Sequence, residues 1–319
     1  MGLNIGDRVF HRGTGCNGLI VAIDQNKQYD KYGIRFSWGK YSKMPLHNLG
    51  GRINEPKGIW GSEDEIVLTP RPSTRKHPVN ILGNRSLDRV LKNVCRLGGG
   101  QFRPNNAISI NYGTFRYAEA NGFVINRRIV SDKFAQCVRM LSKDCCVPKI
   151  SDHPFDGCIQ KPFHSIGGKN ITEYHTGDMT YGYFQKRVNK VREFRAHVAL
   201  WSENPVPLIQ EKTVDDPSQL TWNKKQGGKF TTVYQPHLKI RELSPSLVTK
   251  IHNRAICAVK ALNYDMGGVD IALDDEGHLW IFEINSRMGV REYTLATYTQ
   301  IFWILHNLDI DKYRKERWE

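Results

Sequence analysis

Residues 266–289, Met-Gly-Gly-Val-Asp-Ile-Ala-Leu-Asp-Asp-Glu-Gly-His-Leu-Trp-Ile-Phe-Glu-Ile-Asn-Ser-Arg-Met-Gly, constrain this chain more than any other stretch. Apolar runs at 268–273 and 278–284 flank the turn Asp274-Asp275-Glu276-Gly277, which specifies an antiparallel hairpin. Side chains alternate along a strand, so Glu283 and Asn285 share one face. Closure on Asp275-Glu276 brings Asp270 in from the opposite strand. Val269, Ile271, Leu273, Ile281, Phe282 and Ile284 make the surroundings apolar, where uncompensated carboxylates are costly. An ordinary amphipathic hairpin with solvated acids is the alternative. The stronger expectation is an oxygen-donor set, Asp270, Glu283 and Asn285, for a hard cation such as Mg²⁺.

The rest of the chain sets the frame. Its 319 residues suit two domains, or one large domain with an appendage. Lys plus Arg number 46 against 32 Asp plus Glu, a formal charge of +14 that points to nucleic acid, an acidic substrate or simple solubility. The best apolar run, Ile301-Phe302-Trp303-Ile304-Leu305, is far shorter than the roughly 18–20 residues of a membrane span, and the first residues lack the apolar stretch of a secretory signal. Seven cysteines with no CxxC pair argue against a disulfide scaffold or zinc ribbon, so a reduced, cytoplasmic protein is expected.

Composition divides the chain. Short β-type runs at Gly6–Phe10, Gly18–Ile23 and Tyr32–Phe36 resemble an SH3-like or KOW-type β-barrel over residues 1–50. Glycines and prolines scattered over 51–78 suggest a linker or strap. Residues 79–130 have a mixed α/β pattern, with strands at Val79–Leu82 and Ala107–Tyr112. Ser131-Asp132 caps a helix carrying Phe134, Cys137, Val138 and Leu141 on one side. Ser244-Pro245 opens another that runs to Leu262, burying Leu247, Val248, Ile251, Ala255, Ala258, Val259 and Leu262.

The Asp270/Glu283/Asn285 hairpin resembles the metal-binding hairpin of ATP-grasp ligases, and six further matches precede it in the family's order. Lys133 sits where the family places its first ATP-contacting lysine. Cys158-Ile159-Gln160-Lys161-Pro162-Phe163 is similar to the strand whose Lys-Pro meets the α-phosphate. Ser165-Ile166-Gly167-Gly168-Lys169 resembles the small-residue loop that closes on phosphates, where bare backbone N–H groups approach oxygens. Tyr183-Phe184-Gln185-Lys186-Arg187-Val188 resembles the adenine-reading hinge. Arg192-Glu193-Phe194-Arg195-Ala196-His197-Val198 resembles the Glu-x-Arg strand, with Glu193 toward the ribose and Arg195 toward phosphate or acyl-phosphate oxygens. Lys212 corresponds to a lysine that reaches the γ-phosphate. The sequence departs at Gly268, where D-alanine ligases carry an oxyanion arginine. It departs again at Asn285-Ser286-Arg287-Met288-Gly289, where Arg287 and Arg291 are expected to supply the charge near the acceptor instead, and at the hinge, which lacks an acid. The overall pattern is most similar to stand-alone ATP-grasp proteins of tailed bacteriophages.

The resemblance implies an α+β ATP-grasp domain over 131–319, with a lid at about 150–188, preceded by a small pre-ATP-grasp α/β domain at 79–130. It implies ATP and Mg²⁺ as cofactors, two ions in the family's pattern, with Mn²⁺ as a substitute. The implied reaction joins a carboxylate to an amine, or a thiol, through an acyl phosphate. Lys133, Lys161 and the 167–169 loop would hold phosphates; Arg195, Lys212 and Arg287 would stabilise transferring oxygens. The rival reading is a nucleic-acid- or ribosome-binding protein using the fold as a nucleotide-responsive module. Residues 1–76 carry 12 basic and 7 acidic residues, and Tyr29, Tyr32, Phe36, Trp38 and Tyr41 interleave with Lys31, Arg35, Lys40 and Lys43. No membrane partner is expected, and the location is the cytoplasm, of the host cell if the protein is viral.

Overall fold

The computed structural model describes residues 8–11, 16–23, 32–36, 59–61, 66–68 and 79–82 as backbone strands. It describes residues 108–113, 122–164, 170–176, 181–223, 226–288, 294–306 and 308–318 more fully. Contacts group residues 1–76, 90–102 and 290–307 into one compact unit and 77–89, 103–289 and 308–319 into a second.

In the first unit, β1 (Arg8–His11), β2 (Cys16–Ile23), β3 (Tyr32–Phe36), β4 (Ile59–Gly61) and β5 (Ile66–Leu68) form an antiparallel sheet in the order β4-β3-β2-β1-β5. The last two strands fall inside the segment expected to be a linker or strap. Breakers punctuate that segment, but Ile59-Trp60 and Ile66-Val67-Leu68 between them are strand formers, and they pair with β3 and β1. The aromatic and basic side chains at 29–43 lie outside the described residues.

The second unit carries three sheets. Strands β6 (Val79–Leu82), β7 (Ile108–Asn111) and β8 (Phe123–Ile125) are parallel, in sequence order. Helix α1 (Lys133–Leu141) follows, capped by Asp132, whose Oδ1 accepts the Ala135 N–H at 3.0 Å. Its buried residues are Gln136, Cys137 and Met140, whereas Val138 and Leu141 are exposed. The expected apolar stripe is therefore rotated, because Gln136 turns inward to accept the Ile284 N–H at 3.2 Å and so ties α1 to the 266–289 hairpin. A small antiparallel sheet comes next: β9 (Ile150–Ser151), β10 (Cys158–Lys161), β11 (Thr172–Glu173) and β12 (Tyr183–Lys186), ordered β11-β10-β12-β9.

The largest sheet holds β13 (Lys190–Ala199), β14 (Leu208–Thr213), β15 (Lys229–Gln235), β16 (Ile240–Arg241), β17 (Met266–Asp274) and β18 (Leu279–Asn285). Its order is β16-β15-β14-β13-β17-β18. Even-numbered residues of β13, Phe194, Ala196 and Val198, face a core shared with α2 (Pro245–Ala261). Ser244 caps α2 and Pro245 opens it, as the sequence indicates, and Val248, Ile251, Ala255, Ala258 and Val259 cover that sheet face. Full burial of each aliphatic side chain contributes about 1.5–3 kcal/mol, ample to hold the sheet flat against the helix. The chain ends in α3 (Leu295–His306), in the first unit, and α4 (Ile310–Trp318), in the second.

One covalent tie departs from the reduced state expected of all seven cysteines. Cys145, after α1, and Cys257, on α2, form a disulfide with Cα atoms 6.1 Å apart and a sequence separation of 112. Spacing rules look for near neighbours, so a pairing made by packing two helices together escapes them. Cys137, Cys146 and Cys158 are free thiols. Among the described residues, no helix is long and apolar enough to cross a membrane.

Candidate functional site

The face of the large sheet turned away from α2 is polar, and strand register explains how. Across β14, β13, β17 and β18, Gln210 pairs with Arg195, Arg195 with Asp270, and Asp270 with Glu283. One row along, Lys212 pairs with Glu193. Five ionisable side chains thus stand side by side, as period-two alternation requires of residues in register.

They are wired into a continuous ion network. Arg195 grips Asp270 through two parallel hydrogen bonds, Nε to Oδ1 at 2.7 Å and Nη2 to Oδ2 at 2.8 Å. Lys212, only 1% exposed, reaches Asp270 Oδ2 at 2.8 Å and Glu193 Oε1 at 2.6 Å. Lys190 donates to the other Glu193 oxygen at 2.7 Å and to the Leu220 carbonyl at 3.1 Å. Lys133, on the first turn of α1, pairs with Glu283 Oε2. The Asn285 amide sits between the two hairpin acids, its Nδ2 3.0 Å from Glu283 Oε1 and 3.4 Å from Asp270 Oδ2.

Burial and charge compete at each group. Burial pushes the Asp270 carboxyl up, but Arg195 and Lys212 outweigh it and hold the acid well below the usual range. Glu193 is raised by burial and lowered further by Lys212 and Lys190; Glu283 is raised by burial and lowered by Lys133. Lys212 is held above its ordinary value because Asp270 and Glu193 overcome its desolvation. Lys161 is different. Its described hydrogen-bond partner is the neutral Gln185 Oε1 at 2.6 Å, and burial pulls its ammonium below the ordinary range. His197, behind Arg195, is pushed down to about 4 by burial with Arg195 adding to it, so it stays neutral and bonds Gln210 at 3.0 Å.

A cleft of about 310 Å³ opens over this network. Lys133, Lys161, Gln185, Lys186, Arg187, Val188, Glu193, Lys212, Asp270 and Glu283 all border it. Of the other expected site residues, Arg195 lies under Asp270 and Asn285 bridges the acids. Arg287 donates from Nη2 to the Gly113 carbonyl at 2.6 Å. Gly113 has φ +69, and a Cβ there would sit 2.2 Å from Arg287 Cγ, so only glycine admits that side chain. Gly167, Gly168 and Lys169 lie outside the described residues.

Sequence reasoning missed Lys190, Trp222 and Phe282. Lys190 Nζ lies 4.6 Å from the Trp222 ring centroid and 5.9 Å from that of Phe282, and all three line the cleft. Lys190 is three residues before Glu193, the wrong parity for a shared strand face, but a β-bulge between Lys190 and Arg192 reverses it.

A divalent cation can be tested against the donor set. Among the described residues no three His, Cys, Asp or Glu side chains converge as a metal cluster. Asp270 and Glu283, directly opposed, nevertheless supply hard carboxylate oxygens suited to Mg²⁺, and the Asn285 carboxamide, whose Nδ2 faces both acids, would add its Oδ1 on rotation. The residues fit such an ion.

Comparison with known proteins supports the fold. No protein-family model and no curated protein matches the sequence. The chain is similar to the ATP-grasp ligase PsnB complexed with a minimal precursor, with TM-score 0.52 and 13% identity, covering 73% of this chain and all of that one. PsnB complexed with a phosphomimetic variant of the precursor, Mg and ADP gives TM-score 0.51 and 11% identity over 74% of this chain and all of that one. Carboxyaminoimidazole ribonucleotide synthase from Aspergillus clavatus, complexed with ATP, gives 0.50 and 13% over 67% and 71%. These likenesses define the class of architecture: this is an ATP-grasp fold.

Proposed function

We propose that the protein is an ATP-dependent ligase that joins a carboxylate to an amine, or to a thiol, through an acyl phosphate. The observation that carries this reading is the charge inventory of the cleft. Lys133, Lys161, Lys186, Arg187, Lys190 and Lys212 line it against Glu193, Asp270, Asp275 and Glu283, a surplus of two positive charges that an anionic substrate would offset. The fold agrees, and its structural relative PsnB was solved with Mg and ADP.

In this reading Lys161, hydrogen-bonded to the Gln185 amide, and Lys133 take phosphate oxygens, while the backbone of Gln185–Val188 reads the base. Glu193 keeps lone pairs for ribose hydroxyls beyond those used by Lys190 and Lys212. Asp270, Glu283 and Asn285 hold one or two divalent ions, which neutralise phosphate charge when bound. Arg195 and Lys212 fix Asp270 and present positive charge where the transferring phosphoryl oxygens develop theirs. Arg287, anchored on Gly113, sets positive charge beyond the hairpin for the acceptor side. No enzyme nucleophile is required, and the work is positioning.

The test is ADP release from ATP with Mg²⁺ and panels of carboxylates and amines. Turnover should require both, and Glu283→Ala should abolish it. Normal ATP turnover by that variant would refute the metal assignment.

A further inference from the structure

Away from the cleft, the second unit holds a basin of about 460 Å³ whose charged lining residues are all arginines: Arg127, Arg128, Arg314 and Arg317. Met266 to Asp270 alone spans about 13 Å of strand, and the basin lies beyond the Met266 end, at Asn263.

A buried polar node that the cleft does not use ties together the two elements that carry these arginines, the turn after β8 and α4. Asn126 ends β8 at φ +54, a left-handed conformation tolerated best by Gly and Asn, and this turns the chain sharply into Arg127-Arg128. Its side chain is clamped: Oδ1 accepts the N–H groups of Asp265 and Met266 at 2.8 and 3.1 Å, and Nδ2 donates to the Met266 carbonyl at 2.8 Å. Asp265, fully buried, accepts the Asn126 N–H at 2.8 Å and the Tyr313 hydroxyl at 2.9 Å, and pairs with Arg317 at 2.7 Å. Arg314 lies 5.1 Å over the Phe123 ring. One node therefore fixes both the turn after β8 and helix α4 around the same space. Asp265 neutralises one guanidinium; the described residues place no carboxylate on the other three.

We propose that this basin is a second anion site, taking a small polyphosphate. Guanidinium forks match pairs of phosphoryl oxygens, and three forks bordering one basin, on which the described residues place no carboxylate, match a chain of phosphoryl groups better than a single phosphate. The volume falls in the size class of small-molecule sites.

The probe is inorganic tripolyphosphate, titrated calorimetrically into the full chain at low salt. Arg127 and Arg128 are exposed, so Arg127→Gln/Arg128→Gln leaves folding intact, checked by an unchanged thermal midpoint. That variant should weaken one binding event at least tenfold, whereas Lys161→Gln, in the cleft, should leave that event unchanged. Equal isotherms for the arginine variant and the parent would overturn the proposal. So would arginine-dependent binding of a short single-stranded oligonucleotide without tripolyphosphate binding, since that would make the surface a nucleic-acid contact.

Discussion

Lys212→Met probes the network at its centre. The ammonium is 1% exposed and shared by two buried acids, Glu193 at 2.6 Å and Asp270 at 2.8 Å, and methionine keeps most of the stem's packing. Removing one partner of a buried ion pair typically costs about 3–5 kcal/mol. Here each acid keeps a second cation, Lys190 for Glu193 and the Arg195 fork for Asp270, so the lower end, about 3 kcal/mol, is expected. For a unit of this size that is a fall of roughly 6–12 °C in thermal midpoint. Lys229→Met, which breaks the exposed pair with Asp215, is the control and should move the midpoint by about 2 °C or less. The sign with pH is fixed as well. Glu193 and Asp270 are depressed carboxyls, so their stabilisation is full above the ordinary carboxylate range and is lost as pH falls through their folded values. The gap between parent and variant, measured by chemical denaturation, should be constant above about pH 5 and shrink on acidification. A midpoint within about 2 °C of the parent at pH 7 would refute the claim that the network is a folding element.

His197, pushed down to about 4 by burial, is a depressed base: its stabilisation is complete above the unfolded value near 6.5 and is lost between there and about 4. The parent should lose up to about 3 kcal/mol over that window through His197, and His197→Asn should flatten much of the limb, with the remainder from His252, also depressed by burial, and, below about pH 5, from the depressed carboxyls. Gly113→Ala forces a left-handed alanine against Arg287 and should cost about 2 kcal/mol or more in urea unfolding while abolishing ligase turnover; retained turnover would remove Arg287 from the acceptor side. Lys190→Met should raise the KM for ATP more than it lowers kcat, because it frees Glu193 and the Leu220 segment without touching the metal-type hairpin.

Much of the fold was legible because local and tertiary signals agree where the chain is regular. Ser244-Pro245 and the apolar spacing of 248–259 describe α2 completely, and Val79–Leu82 and Ile108–Asn111 form strands where expected. The reading failed where packing overrode composition. Val138 and Leu141 look like core yet are exposed, because Gln136 satisfies the Ile284 backbone from the inner face of α1. The stretch at 51–78, expected to be a linker or strap, holds enough breakers to hide two three-residue strands that pair with a sheet begun some fifty residues earlier. Cys145 and Cys257 meet only once α2 has packed.

The site itself was legible through residue types, but its geometry depends on bulges that were hidden in the apolar spacing. On β18, Leu279 and Ile281 face the core; strict alternation would put residue 283 there next. Instead Ile284 is in the core, and Phe282 and Glu283 both border the cleft. The register slip between Asp270 and Ile271 is the cause: below it Ile271 pairs with Ile281, and beyond it Asp270 pairs with Glu283 rather than Phe282. The break from 279, 281 to 284 in the apolar pattern is the sequence trace of that slip. β13 repeats the device, with Val191 thrown out to solvent so that Lys190 joins Glu193 on the polar face. Each bulge moves a charged side chain from the face that α2 covers to the face that the cleft uses. Without them, Glu283 and Lys190 would stand as unpaired charges in the aliphatic core, at a cost large enough to favour another register. The bulges and the charges therefore specify one another: the acids would not be tolerated on an unbulged hairpin, and the bulges would have nothing to aim without the acids.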